Sequence, residues 1–173
     1  MTVVHTEHNV PYLPLPNTVE VVITDVLAPD NLTRTSFMIP VDGKEVVLAT
    51  NQRRGIEAAG GHREGNETML EGAIREAIEE TGCHVENAVP IGYLRMTVHR
   101  IMAPEGYQYP FPNSYQQFFA GDLVKMDQYF DNDECGQPVK LFGFNDMIQK
   151  KTLKAFVCAA INAKGAKHEL VDR

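Results

Sequence analysis

Residues 60–83, GGHREGNETMLEGAIREAIEETGC, carry the most specific structural signal in the chain. Thr68 and Glu71 have the S/T-x-x-E spacing of a capping box, which predicts that a helix begins here. Gly82 is suited to end that helix, because glycine tolerates the left-handed conformation found at helix ends. A helix is therefore predicted at Met69–Thr81, and apolar residues at helical spacing give it one packing face, made of Leu70, Ala73, Ile74, Ala77 and Ile78.

The opposite face of this helix carries Glu76, Glu79 and Glu80, which lie within an arc of roughly 100°. Like charges at these spacings destabilise a helix by about 0.2–0.5 kcal/mol per pair. Their crowding beside a glycine-rich loop is better explained if a cation neutralises them. Carboxylate oxygens suit Mg²⁺ or Mn²⁺, which proteins commonly share with substrate phosphates.

Arg75 lies one helical turn after Glu71 and one turn before Glu79, so its guanidinium can hold a neighbouring carboxylate in place. Glu67 precedes the helix and can reach the same guanidinium if the loop folds back. Contacts of this kind fix the geometry of metal ligands. We therefore expect Glu67 and Arg75 to support the metal-binding glutamates.

This segment resembles the Nudix box, G-x5-E-x7-R-E-U-x-E-E-x-G-U, in which U is apolar. Ala77 and Cys83 fill the apolar positions. Agreement at every fixed position with correct gaps is a specific signal. One departure is Ala59, because many family members have a proline before the paired glycines. The fixed positions are occupied by Gly61, Glu67, Arg75, Glu76, Glu79, Glu80 and Gly82.

The resemblance implies an α/β fold with a mixed sheet, the Nudix α/β/α sandwich. It also implies metal-dependent hydrolysis of a nucleoside diphosphate linked to another group. By position, Glu76, Glu79 and Glu80 would bind Mg²⁺ or Mn²⁺, joined by the Gly60 carbonyl, while Glu67 and Arg75 would be the supporting pair.

The general base varies within the family, so several candidates stay open. Glu79 or Glu80, inside the box, comes first. Glu134 comes next, because residues 134–142 (ECGQPVKLF) are similar to the acidic turn and strand of members that act on oxidised guanine triphosphates. Glu105, in a proline-rich loop, is the third candidate.

Candidate substrate contacts lie outside the box. Tyr107 and Tyr109 can stack a base, although such residues more often anchor loops. Arg53 and Arg54 can hold a distal phosphate, although a solvated turn is an equal alternative. The segment 54–57 mildly resembles triphosphatases that remove oxidised nucleotides, and nucleotide-sugar hydrolases are the runner-up. A nucleotide-sensing module without catalysis is the alternative to an enzyme.

Composition limits the function classes. The net charge of −7 argues against binding a polymeric nucleic acid, which requires a basic surface. No apolar run approaches the length of a membrane span. The three cysteines, Cys83, Cys135 and Cys158, form no paired motif, which favours a reducing compartment and a cytoplasmic location.

The chain length predicts one domain, residues 19–173. Residues 1–18 carry Pro11, Pro14 and Pro16, so an extended N-terminal arm is expected, which makes a homodimer plausible through pairing with a neighbouring subunit. A second helix is predicted at Asp146–Lys164. Strands are predicted at Val19–Val26, Thr35–Pro40, Val46–Asn51, Ala88–Val98, Tyr115–Val124 and Val139–Phe144.

Overall fold

A computed structural model describes residues 1–128, 135–143 and 146–165. Its helices are α1 (Met69–Thr81) and α2 (Lys151–Lys164), and a short 3-10 turn covers Asp30–Leu32. The strands are β1 (Thr2–His8), β2 (Asn17–Ile23), β3 (Thr33–Asp42), β4 (Glu45–Asn51), β5 (Gly55–Glu57), β6 (Ala59–His62), β7 (Cys83–Val98), β8 (Asn113–Met126) and β9 (Val139–Phe142).

The strands form one mixed sheet in the order β1-β2-β7-β8-β3-β4-β5. β3 pairs with β8 in parallel, and the other pairings are antiparallel. β6 adds to β3 and β9 adds to β4. The central strand β3 therefore has partners on both edges, which places the residues around β6 against the middle of the sheet.

Alternation along β3 and β8 sends successive side chains to opposite faces of the sheet. Ile39 and Phe118 join the core cluster that contains Phe156 of α2. Met38 and Phe119 join a second cluster that contains Ala73 and Ala77 of α1. The two helices therefore cover opposite faces, and the predicted α/β/α sandwich is confirmed.

The N-terminal segment is extended, but it belongs to the sheet of its own chain. β1 pairs antiparallel with β2 from Thr2↔Ile23 to His8↔Thr18. Val10 is buried in the α2-side core cluster. Asn17 anchors the intervening turn, since its side chain accepts a hydrogen bond from the Val10 amide at 2.9 Å and donates to the Val10 carbonyl at 3.0 Å.

Helix α1 has the predicted bounds and the predicted ends. The Thr68 side chain accepts from the Glu71 amide, and the Glu71 carboxylate accepts from the Thr68 amide, which completes the capping box. Gly82 ends the helix in the left-handed conformation, at φ 67°. Helix α2 begins later than predicted, with Lys150 as its N-cap. No helix in the described part of the chain is long and apolar enough to cross a membrane.

Candidate active site

Arg75 of α1 is the centre of the candidate site. Its Nε donates to Glu67 Oε1 at 2.8 Å. Its Nη1 donates to Glu76 Oε1 at 3.0 Å and to Glu79 Oε2 at 2.9 Å. Its Nη2 donates to the carbonyl oxygen of His62 at 3.0 Å. One guanidinium therefore connects the loop before the helix, two glutamates of the helix and strand β6. The carboxylate of Glu71 takes part in the capping box instead.

Strand β6 lies directly against the glutamates of α1. The Gly60 amide donates to Glu80 Oε2 at 2.8 Å. A Cβ atom at Gly61 would lie 2.3 Å from Glu76 Oε1, so only glycine leaves room for that carboxylate. Ala59, which stands where many family members have a proline, is fully buried and pairs with Met38 of β3. The backbone that leads to the paired glycines is therefore held by regular strand pairing with β3, without the proline.

Helix α1 packs on the sheet through the face that its apolar pattern predicts, although some of those side chains are not fully enclosed. Ala73 and Ala77 are buried as expected, but Leu70 and Ile74 are only partly buried. Small residues let the helix approach β3 and β6 closely, and this close packing sets its rotation. Glu76 consequently lies at the edge of the interface, with 14% of its side chain exposed, and not on a fully solvated face.

The electrostatics of the site follow from this burial. Burial raises the pKa of Glu76, and the carboxylate of Glu79 acts in the same direction while Arg75 opposes it. Burial also raises the pKa of Glu80, and the neighbouring Glu76 adds to the effect, while the Gly60 amide lowers it. By contrast, the hydrogen bond from Arg75 holds the pKa of Glu67 below its usual range. The site thus holds partly desolvated carboxyl groups that repel one another.

These residues have the donor chemistry for a divalent cation. Glu76 and Glu80 offer hard carboxylate oxygens, and a cation between them would relieve their mutual repulsion. Within residues 1–128, 135–143 and 146–165, no three His, Cys, Asp or Glu side chains already form a metal-binding group. Glu79 instead contacts Arg75, and Glu80 contacts the Gly60 amide. The carboxylates therefore have the chemistry that a divalent metal requires. Binding of the metal would turn the side chains of Glu79 and Glu80 away from their present contacts.

Cys135 is a contact of the site that the sequence did not reveal. Its thiol donates to Glu80 Oε1 at 3.6 Å, while the Gly60 amide holds the other oxygen of that carboxylate. Cys135 is buried and forms an isolated bridge with Asn51 at the end of β4. Glu134, the candidate base that precedes it, lies outside the described residues.

The predicted phosphate contacts lie in the turn after β4. The amides of Arg53 and Arg54 donate to Asn51 Oδ1 at 2.9 and 3.0 Å. Arg54 also forms an ion pair with Glu57 at 2.9 Å. The positive charge of Arg54 is close enough to oppose the burial that raises the pKa of Glu80. Asn51, at the start of this turn, bridges to Cys135, and the thiol of Cys135 contacts Glu80.

The predicted tyrosines lie in the loop between β7 and β8 and approach β6. Tyr109 Oη lies 3.2 Å from His62 Nε2, and the two rings are tilted with centroids 5.8 Å apart. Tyr107 packs on Tyr109 at 5.8 Å, and its hydroxyl is buried without a hydrogen-bond partner in the described structure. Glu105, the third candidate base, is exposed in the same loop. No sequence signal pairs His62 with Tyr109, because the contact joins residues far apart in the chain.

Comparison with known proteins identifies relatives of this domain. A family model described as NUDIX domain matches residues 32–157. The Bacillus subtilis pyrophosphohydrolase BsRppH, crystallised as a point mutant, has a similar structure with a TM-score of 0.63 and 21% sequence identity, over 92% of this chain and 96% of its own.

Two further solved structures share the fold. A NUDIX hydrolase from Nitrosomonas europaea has a TM-score of 0.56 and 18% identity, over 75% of this chain and 88% of its own. A NUDIX family hydrolase from Clostridium perfringens has a TM-score of 0.54 and 15% identity, over 75% of this chain and 96% of its own. At these identities the likeness is one of fold. No curated protein matches the sequence significantly.

Proposed function

The chain belongs to the Nudix hydrolase family, and from this premise we propose that it is a divalent-metal-dependent pyrophosphohydrolase of nucleoside diphosphate derivatives. The class of chemistry is hydrolysis of a phosphoric anhydride, and the substrate class is a small nucleotide-like molecule. The single observation that carries the proposal is the intact network in which Arg75 holds Glu67, Glu76 and Glu79 while Gly60 holds Glu80.

The metal ligands of the proposed enzyme are Glu76, Glu79 and Glu80, with the Gly60 carbonyl as a fourth. Mg²⁺ or Mn²⁺ bound there would neutralise phosphate charge and lower the pKa of a coordinated water. Arg75 keeps Glu76 and Glu79 on one side of the helix, and Glu67 fixes the guanidinium from the loop. The supporting pair thereby limits where the ligand oxygens can move.

The general base takes a proton from the attacking water as its oxygen bonds to phosphorus. The bond from that phosphorus to the bridging oxygen breaks, and the leaving phosphate keeps the electron pair. Glu79 and Glu80 are the leading candidates because Arg75 holds the first and the Gly60 amide of β6 holds the second. Glu134 follows them, and its neighbour Cys135 contacts Glu80. Glu105 ranks last, since it lies exposed in a loop.

The rest of the substrate is assigned to loops around this centre. Arg53 and Arg54 are proposed to contact a distal phosphate, since their turn borders Glu80. Tyr107 and Tyr109 are proposed to contact the nucleoside, since their loop approaches β6 where Tyr109 meets His62. Nucleoside triphosphates, including oxidised ones, are the preferred substrates, and nucleotide sugars are the runner-up. A homodimer and a cytoplasmic location remain predictions from the sequence.

The test is hydrolysis of a panel of nucleoside triphosphates, dinucleotides and nucleotide sugars with Mg²⁺ or Mn²⁺. We expect turnover of at least one compound, its loss on chelation of the metal, and a fall of at least roughly a hundredfold in Glu80→Gln. Glu71→Gln is the matched control, because it lies on the same helix and glutamine also completes a capping box.

Two outcomes contradict the proposal. Unchanged turnover in Glu80→Gln would show that the glutamates of α1 have no catalytic role. Tight binding of a nucleotide by the wild type without any product would instead identify a sensing module that keeps the fold without the chemistry.

A further inference from the structure

Phe37 is unusual among the residues of the central strand. Between Thr35 and Val41 every side chain of β3 is buried, apart from that of Phe37, which is partly exposed. Its neighbours Met38 and Ile39 are fully buried on the two faces of the sheet. Phe37 packs against the α2-side core and is the one residue of this run whose side chain is partly exposed.

Phe37 is the outer member of a row of three nearly parallel rings. Its ring stacks on Phe118 with centroids 4.7 Å apart and planes 12° apart. Phe118 stacks in turn on Phe156 of α2, at 3.8 Å and 6°. Phe118 and Phe156 are buried, so the row begins in the core and ends at Phe37. Since Phe118 covers one face of the Phe37 ring, a further ring can stack only on the opposite face.

The open end of this row lies beside the candidate active site. Phe37 is directly opposite Gly60 in the β3–β6 pairing. A Cβ atom at Gly60 would lie 2.3 Å from Cδ1 of the Phe37 ring, so the ring edge occupies the space where a side chain would stand. The amide of the same glycine holds Glu80. One residue therefore separates the aromatic row from the proposed metal ligands.

Chain geometry places the rings and the carboxylates on two sides of one strand. Successive residues of a strand point to opposite faces. At Gly61 a Cβ would meet Glu76 of α1, whereas at Gly60 it would meet Phe37. The two adjacent glycines of β6 therefore separate the glutamates on one face from the Phe37 ring on the other by the thickness of one strand.

We propose that Phe37 is the stacking platform for the base of the substrate, which adds a fourth ring to the row of Phe156, Phe118 and Phe37. The inference rests on the proposed function and specifies the recognised group as a planar heteroaromatic ring. Base stacking on aromatic side chains depends little on base identity, so this contact selects nucleotides over base-free polyphosphates. Tyr107 and Tyr109 then line the site from the loop, without carrying the main stacking contact.

The test compares Phe37→Leu, Phe37→Tyr and Tyr109→Leu with the wild type. The compounds are the nucleotide of the panel that is turned over fastest and inorganic tripolyphosphate, which has no base and is used as a competitor. For Phe37→Leu we expect KM for the nucleotide to rise about tenfold at nearly constant kcat. The inhibition constant of tripolyphosphate should stay within about twofold, because it has no base to stack. Phe37→Tyr, which keeps the ring, should restore KM.

A matched control is Phe142→Leu, because Phe142 is 63% exposed on β9. It loses a ring without touching the aromatic row, so its KM should equal that of the wild type. Thermal denaturation of each variant shows whether the fold is retained. If Phe37→Leu does not fold, Phe37→Tyr against Phe37→Met provides the same comparison of a ring with a flexible apolar side chain.

The outcomes separate this inference from the proposed function. An unchanged KM in Phe37→Leu, or a larger rise in Tyr109→Leu, overturns the role of Phe37 and leaves the hydrolase intact. If nothing is turned over, calorimetric titration of the same nucleotides replaces KM with a dissociation constant. Weaker nucleotide binding by Phe37→Leu than by the wild type would then support stacking on Phe37, although the proposed hydrolase activity would be refuted. If the wild type binds no nucleotide, both proposals are refuted.

Discussion

Replacing Gly61 with alanine should reduce catalysis while leaving the fold nearly intact. The new Cβ would lie 2.3 Å from Oε1 of Glu76 and 2.8 Å from its Cδ. An ordinary carbon–oxygen contact is about 3.3 Å, so the carboxylate has to retreat by about 1 Å. The bond of 3.0 Å between Glu76 and Arg75 would be disturbed by the same movement.

The magnitude follows from the sensitivity of catalysis to position. A misplacement of about 1 Å typically costs roughly a hundredfold in rate. Stability should change by less than about 1 kcal/mol, because the clashing atoms are the end of a flexible side chain and Gly61 has no left-handed φ. We therefore expect Gly61→Ala to lose about a hundredfold in kcat/KM at an almost unchanged melting temperature.

The assay measures kcat and KM with the preferred nucleotide, together with thermal denaturation. Gly43→Ala is the matched control, because Gly43 has φ +61° and a Cβ added there would have no atom within 4 Å. That variant should lose about 1 kcal/mol of stability through backbone strain and keep its activity. A Gly61→Ala variant with the kcat/KM of the wild type would refute the placement of Glu76 in the catalytic centre.

Further predictions concern the supporting contacts and the fold. Arg75→Lys keeps the positive charge but loses the planar guanidinium that holds Glu67. The affinity for Mn²⁺, measured by calorimetry, should therefore fall about 10- to 100-fold. An unchanged affinity would show that Arg75 does not support the metal ligands. Gly82→Ala forces a left-handed φ of 67° on alanine, which should lower the melting temperature by about 2–6 °C, and no change would contradict the observed helix end. The hydrogen bond from Arg95 holds the pKa of Glu20 below its usual range, so this pair stabilises the fold at neutral pH and loses its effect as the pH falls through the lowered pKa. The unfolding free energies of wild type and Glu20→Gln should therefore differ by about 0.5 kcal/mol at neutral pH and converge once the pH is below the lowered pKa, and a difference that persists in acid would exclude the pair as its source.

Local signals gave an accurate account of helix α1. The Thr68–Glu71 capping box and the left-handed Gly82 depend on residues within one or two turns, so their spacing determines both ends. The contact between Glu67 and Arg75 was also accessible, because it joins a helix to the loop immediately before it. Short-range physics is sufficient wherever the partners are close in sequence.

The burial of the individual side chains of that helix was not accessible in the same way. Its apolar residues pointed to a face including Leu70 and Ile74, yet those side chains are only partly buried. The close packing of Ala73 and Ala77 on the sheet decided the rotation, and it brought Glu76 to the edge of the core. A pattern of hydrophobicity records the preference of one helix, whereas packing depends on the shape of both partners.

The strand pairing before the box was missed for a related reason. β5 and β6 are short, and the glycines of residues 60 and 61 are poor strand formers. They become strands because β3 and β4 offer unpaired edges at that point. The same pairing places Phe37 beside Gly60, although 23 positions (60 − 37) separate them in the chain.

The family, the chemistry of the donor set and the bounds of the helix that carries it can be inferred from the amino-acid sequence, because all three are encoded in one short segment with fixed spacing. The surroundings of that segment depend on how the whole chain folds. Contacts such as Cys135 with Glu80, His62 with Tyr109 and Phe37 with Gly60 join distant parts of the chain. Such contacts exist only after the sheet has fixed the strand order and register, and no local pattern specifies either one.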